Sequence, residues 1–322
     1  MKLGVLTVLF SGQPLDKALD YVKEAGLEAV EIGTGNYPGD AHCKLDAMLK
    51  SDDERKKFLD AIKSRGLEIS ALSCHGNALH PDKKFAQNSV DTLKKTIQLA
   101  KMLKVKTVVD FSGCPGEGPN ASKPNWVTCP WPPDFLEILE WQWDKVAIPF
   151  WKEMNKYAAD HGVRIALEMH PGFIVYGPET MLKLRDGAGK NIGANLDPSH
   201  LFWQGIDPIV AVRELGKAKA IFHVHMKDTK VDPINTAFTG VLDTKHYGDV
   251  QKRSWVFRTV GYGHGAGFWT DFISTLRAFG YDEYLSIEHE DGLMSINEGF
   301  MRAVRFLQGI ILSEKPGAMW WA

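Results

Sequence analysis

Two rhythms of apolar and polar positions alternate along this chain. Short apolar runs rich in Val and Ile are separated by longer stretches whose apolar residues recur at helical spacing. The short runs predict eight strands, at Leu3–Val8, Ala29–Gly33, Glu68–Cys74, Thr107–Gly113, Arg164–His170, Gly193–Asp197, Ile221–Lys227 and Tyr284–Glu288. The longer stretches predict helices at roughly 14–25, 52–65, 84–104, 134–161, 178–187, 207–216, 268–280 and 295–312. Gly26 and Gly66 stand just past two of these helices, where a left-handed residue costs glycine least. Asp207-Pro208 offers an N-cap followed by Pro at the first helical position, and Ser51-Asp52-Asp53-Glu54 loads a helix start with acceptors.

Eight β–α units predict a closed parallel (β/α)8 TIM barrel of the α/β class. An open doubly wound sheet is the rival. No GxGxxG opens the first unit, and acidic strand ends gather in the second half. Residues 1–322 read as one barrel domain, with no linker. Two connections exceed simple turns, Cys114–Pro133 after the fourth strand and Thr229–Phe257 after the seventh. Both follow strands, so both are expected over the mouth of the barrel or at a contact between subunits.

Composition narrows the partners. The chain has 322 residues, 44% apolar and 24% charged, with a formal net charge of -2. That balance argues against nucleic acid or an anionic membrane surface. No apolar run is long enough to span a bilayer. The start, Met1-Lys2-Leu3-Gly4, reads as a strand rather than a signal peptide. Cys43, Cys74, Cys114 and Cys129 form no CxxC and read as reduced thiols, which fits a cytoplasmic protein.

Four predicted strands end in carboxylate or imidazole: Leu167-Glu168-Met169-His170, Leu196-Asp197-Pro198-Ser199-His200, His223-Val224-His225-Met226-Lys227-Asp228 and Ile287-Glu288-His289-Glu290-Asp291. A carboxylate after a buried strand needs a cation, supplied by a metal or by a basic side chain. Glu168, Asp197, His225 and Glu288 together would form a hard, oxygen-rich site for one Mn²⁺ (or Mg²⁺ or Co²⁺) per chain. His223 shares a face with His225 but sits one layer deeper. Lys227 and Asp228 fall at the rim, to touch substrate or pair with each other. His289 points the other way, toward the helices. A metal with two open positions suits a ketose or hydroxyketone, with Glu168 and Glu288 exchanging the proton next to the carbonyl.

The chain resembles the xylose isomerase-like TIM barrel superfamily, in its sugar phosphate isomerase/epimerase branch. Glu31-Ile32-Gly33, Ser73-Cys74-His75-Gly76-Asn77, Asp197-Pro198-Ser199-His200, His225-Met226-Lys227-Asp228, Gly261-Tyr262-Gly263-His264 and Ser286-Ile287-Glu288 carry the likeness. The resemblance implies a metal held by Glu168, Asp197, His225 and Glu288, with the two glutamates catalytic. It implies substrate contacts from His200, His75 and Glu31, and from Arg258 as the nearest match to an arginine before the Gly-x-Gly segment. Trp126, Trp131, Trp203 and Trp269 are candidate stacking platforms. The implied activity is isomerisation or epimerisation of a ketose or keto-sugar. The alternative is a lyase that cleaves 3-oxo-glucosides with a small partner subunit. A homo-oligomer is expected. No Gly-rich phosphate loop is evident, so a non-phosphorylated substrate is favoured. A zinc apurinic endonuclease would need further histidines where Asp110 and Ser112 stand, and a sugar-binding barrel without catalysis would not need the full ligand set.

Overall fold

The computed structural model describes residues 1–321. Eight parallel strands close into a barrel: β1 (Lys2–Leu6), β2 (Ala29–Gly33), β3 (Glu68–Ser73), β4 (Thr107–Phe111), β5 (Arg164–Glu168), β6 (Ile192–Leu196), β7 (Ile221–Met226) and β10 (Tyr284–Ile287). β1 pairs with both β2 and β10, which closes the ring and excludes the open sheet. Every predicted strand is present; the ends that carry the acidic residues turn out of the sheet one or two residues earlier than the apolar runs suggest. Helices intervene and cover the outer faces of the strands, and the main apolar core lies between the two layers.

Local chemistry sets the helix ends. Ser51 Oγ accepts from the Glu54 amide, and Asp207 from those of Ile209 and Val210. Gly26 and Gly66 take φ of +81° and +68° after their helices. The predicted helix over 134–161 is interrupted. Asp134–Trp141 and Ile148–Asp160 are α-helical, but Gln142–Ala147 between them winds as a π turn. Pro149 cannot donate to the turn before it, which favours the wider winding there. The buried Gln142 uses that turn to donate to the carbonyls of Pro115, Gly116 and Asn125, tying down the long segment after β4.

The barrel interior is layered. A small apolar plug of Ala71, Val109, Ala166 and Phe222 fills its base. Two register shifts lie next to it. Val30 pairs with Ile69 and Glu31 with Ala71, leaving Ser70 over on β3; Ala194 pairs with Ile221 and Asn195 with His223, leaving Phe222 over on β7. Such bulges re-aim the side chains that follow them. Here they precede Glu31, Asn195, His223 and His225, which form polar layers above the plug.

The long segment after β7 carries secondary structure of its own. Asp228–Val231 (β8) and Trp255–Arg258 (β9) pair as an antiparallel ribbon, with a short helix at Pro233–Thr239 between them. Among the described residues no helix is long and apolar enough to cross a membrane.

Candidate metal and catalytic site

Glu168, Asp197, His225 and Glu288 sit at or just past the C-terminal ends of β5, β6, β7 and β10, the end of a barrel that carries its chemistry. One side-chain donor atom from each lies within 4.8 Å of the others. His225 Nδ1 is 3.2 Å from Glu168 Oε2 and 3.1 Å from Glu288 Oε2. Asp197 Oδ2 is 3.3 Å from His200 Nε2 and 3.1 Å from Lys227 Nζ. Yet neither His225 Nδ1 nor Asp197 Oδ2 makes a directed hydrogen bond among the described residues. Buried polar atoms are rarely left this way. An imidazole nitrogen and carboxylate oxygens that converge on one point without directed hydrogen bonds at two of them fit a cation, and three carboxylates with one imidazole fit a hard divalent one.

A deeper layer orients the imidazole. Glu31, fully buried, lies 3.1 Å and 3.0 Å by its two oxygens from His225 Nε2, and 2.9 Å from His223 Nε2. Ser286 and Ser73 also donate to it. Burial raises the Glu31 carboxyl pKa, but the charges of His225 and His223 outweigh it and hold Glu31 well below the usual carboxylate range. An ionised Glu31 can only accept, so His225 Nε2 carries a proton and Nδ1 is turned to the cluster. Burial pulls His225 down, but Glu31 and Glu288 outweigh it and hold its pKa well above the ordinary value. A divalent cation would take the place of the Nδ1 proton.

Glu168 is held from several sides. His75 Nε2 and Asn195 Nδ2 are each 3.0 Å from Oε2, and His200 Nε2 is 3.1 Å from Oε1. Burial raises its pKa, but hydrogen bonds from His200, His225 and His75 keep it well below the usual range. Glu288 is less enclosed, with an 18% exposed side chain. Burial works against its charge, and Lys227 and His225 bring its pKa down to about 2.

Lys227 is the site residue that reasoning from sequence underrated. It is 1% exposed, and its ammonium lies 2.7 Å from Glu288, 3.1 Å from Asp197 and 3.0 Å from Glu290. Burial lowers its pKa, but Asp197, Glu288 and Glu290 together hold it well above the ordinary lysine value. Its partner is therefore not Asp228. That carboxylate accepts the backbone N–H groups of Thr229, Gly261, Gly263 and His264 and lies 2.8 Å from His264 Nδ1. A Cβ on Gly263 would lie 2.3 Å from the Thr229 carbonyl oxygen, so only glycine allows this approach. The amides that could cradle a phosphate are thus taken by Asp228.

The remaining predicted residues divide. His200 and His75 touch Glu168 directly. Glu31 lies beneath the cluster, so its expected contact with substrate is replaced by a contact with His225. Arg258 stands apart from the cluster. It ends β9, pairs with Asp291 at 2.9 Å and lies over the Tyr262 ring. The acidic residue on the turn after β10 captures it before it can reach the mouth. Trp126 is in the wall of a cavity of about 220 Å³ with His170, His200, Trp203 and Trp255. Trp131 is exposed and Trp269 is buried, its Nε1 donating to Asp228, and neither lines the two cavities beside the cluster. His289 packs against Gly299 on the last helix. Another cavity, of about 430 Å³, lies beside Glu290, Phe257, Tyr247 and His170. A cavity of about 470 Å³ at the opposite end of the barrel, between Met1, Lys106 and Tyr284, holds none of the clustered residues.

Asp110, at the end of β4, is buried and accepts from the amides of Gly76 and Phe111. Burial pushes its pKa up to about 7, against the pull of His75 and those amides. The folded state then takes up this proton near pH 7, while the unfolded chain does so only near 4. Its contribution makes stability rise as pH falls through that window. Asp110→Asn should be more stable than the parent at pH 8, with the advantage fading by pH 5. Denaturant titrations at the two pH values would check this, and an equal difference at both would refute it.

The chain belongs to the xylose isomerase-like TIM barrel family, whose model matches residues 19–310. It is 40% identical over 314 residues to the uncharacterized protein YfiH of Bacillus subtilis (strain 168), covering 97% of this chain and 99% of that one. It is 32% identical over 286 residues to the rhizopine catabolism protein MocC of Rhizobium meliloti, covering 86% and 75%. The fold is shared with the crystal structure of the IOLI protein with a binding zinc atom, at a TM-score of 0.66 and 20% identity, covering 97% of this chain and 98% of that one.

Proposed function

We propose that the protein is a divalent-metal-dependent isomerase or epimerase that moves a proton next to the carbonyl of a ketose or keto-sugar. The observation that carries this reading is the convergence of Glu168, Asp197, His225 and Glu288 with two donor atoms that lack directed hydrogen bonds. These four residues would hold one Mn²⁺, Mg²⁺ or Co²⁺. When bound, the cation would polarise a carbonyl and acidify the adjacent C–H. Glu168 and Glu288 flank His225 and are both ionised, so either can accept the substrate proton; the carboxylic acid so formed returns a proton to the substrate, or gives it to solvent while the other glutamate delivers one taken from solvent. His200 and His75 fix the Glu168 carboxylate. The mouth opens toward Glu288, Glu290 and Phe257, where the sugar enters. Asp228's hold on the Gly261–His264 amides supports an unphosphorylated substrate.

A lyase acting on a keto-glycoside begins with the same proton removal. The aromatic-walled cavity beside His200 favours keeping that reading second. Deuterium wash-in from D2O, with added Mn²⁺, across ketoses, inososes and 3-oxo-glucosides would separate the two by mass spectrometry. Label in a ketose or inosose with a new isomer supports the isomerase; release of an aglycone moves the assignment to the lyase. Metal-loaded protein silent across the panel would count against both.

Glu31 acts through His225. Glu31→Gln is expected to lower Mn²⁺ affinity about 10–100-fold, since the neutral amide accepts the Nε2 proton more weakly than the carboxylate and makes the imidazole a poorer ligand. Titration calorimetry reads this directly, and unaltered affinity would confine Glu31 to packing.

A further inference from the structure

The cavity of about 470 Å³ at the far end of the barrel takes no part in the proton chemistry, and its charges do not balance. Its acids are mostly spent. The Asp282 carboxylate accepts from the Met1 amino group at 2.7 Å and pairs with Arg277 at 2.8 Å. Glu283 pairs with Arg164, and Lys2 with Glu68. Lys104, Lys106 and Lys315 also stand in the wall, all exposed, and none forms an ion pair among the described residues. Glu28 is the acid of that wall left without a cationic partner. Three free ammonium groups thus face one free carboxylate. The chain as a whole carries a net charge of -2, so this is a local excess and not part of a basic coat.

The backbone at Lys104 adds a second observation. At five of the turns that lead from a helix into a barrel strand, the residue with positive φ is a glycine: Gly26, Gly66, Gly162, Gly189 and Gly280. Between the helix Lys83–Leu103 and β4 it is Lys104, at φ +60°. A Cβ in that conformation crowds the following carbonyl oxygen, a cost that glycine avoids. The other left-handed lysine, Lys219 at φ +50°, lines a second basal cavity of about 290 Å³ that shares Glu283 with the first. Both lysines that occupy a glycine position therefore set an ammonium beside a basal hollow.

We infer that the larger basal cavity is a second ligand site, for a small multiply charged oxyanion: inorganic phosphate or the phosphate group of an ester. A lysine ammonium binds phosphate as a point charge that can turn its donors to the oxygens, and several around one concavity suit a dianion. The exposed Ser313 hydroxyl in the same wall can donate as well. Lys104 comes from the turn before β4, and Ser313 and Lys315 from the segment after the last helix. A bound anion would tie these together and stabilise the fold by its binding energy. The apolar plug separates this site from Glu168 and Glu288, so the inference stands apart from the keto-sugar reading.

The test is titration calorimetry of inorganic phosphate and of glycerol 3-phosphate into the whole chain without added metal, with chloride at matched ionic strength as the control. It is run on the parent, Lys104→Gly and Lys106→Ser. Neither lysine touches the catalytic cluster, and glycine at 104 relieves the left-handed backbone, so both variants are expected to fold; circular dichroism checks this. The parent should bind phosphate with a Kd of about 1 mM or tighter, and each substitution should weaken it about fivefold. In thermal unfolding, phosphate should raise the Tm of the parent more than that of Lys104→Gly. Tighter binding of the ester, weakened by the same substitutions, supports the site and makes an organic phosphate its occupant; tighter binding of inorganic phosphate makes it the free ion. No binding by the parent, binding that either variant retains in full, or an equal response to chloride each overturns the site. Deuterium exchange at the mouth is a separate readout, so either inference can fail while the other stands.

Discussion

Glu168→Gln and Glu288→Gln are each expected to reduce solvent-hydrogen exchange into the substrate by about 10²–10⁴-fold, with the barrel intact. Glutamine keeps the shape of each side chain but lacks a carboxylate that can take a proton. At position 168 the amide oxygen can still accept from His75 or His200, so the neighbouring network has a partner. At position 288 the side chain borders the mouth, and its loss costs little packing. The measurement is deuterium incorporation by mass spectrometry, paired with circular dichroism to confirm folding. Exchange near the parental rate in either variant would remove that carboxylate from the chemistry.

Lys227→Met carries the largest expected effect on stability. The ammonium is the basic side chain that touches Asp197, Glu288 and Glu290 together. Removing it leaves buried carboxylates uncompensated, and breaking a buried ion pair in this way costs about 3–5 kcal/mol. Denaturant unfolding in the presence of a chelator would measure this. Added Mn²⁺ should then stabilise the variant more than the parent, because it supplies the missing positive charge to the same carboxylates. A variant as stable as the parent in chelator would show that the lysine does not hold the cluster.

Most of the barrel was legible because each strand is an apolar run bounded by turn residues and each helix has caps. The four clustered residues were legible for the same reason, since each ends such a run. What escaped the sequence depended on barrel closure. Lys227 and Asp228 are neighbours in the chain, and their mutual pairing was a fair expectation. Lys227 instead meets residues brought from β6 and β10, and Asp228 meets the turn after β9. Glu31 read as a rim residue because nothing local reveals its depth; the extra residue at Ser70 and the layered interior set that. The ribbon escaped because its strands are four residues long and β8 is largely polar, too short for a period-two pattern to stand out. Pro149 was a visible signal for the break in the long helix, and its position after Trp143 and Ala147 marks the wider turn.

The ribbon after β7 has a further consequence. Asp228 and Arg258 are paired across its base, so the excursion leaves the barrel and returns to it at neighbouring points. Paired residues on antiparallel strands lie about 5 Å apart, a gap that a two-residue turn bridges. The segment bearing Leu242, Tyr247 and Trp255 is therefore a detachable module. Evolution, or an engineer, can shorten, lengthen or exchange it without rebuilding the eight strands beneath, and the walls beside the cluster can change while Glu168, Asp197, His225 and Glu288 stay in place.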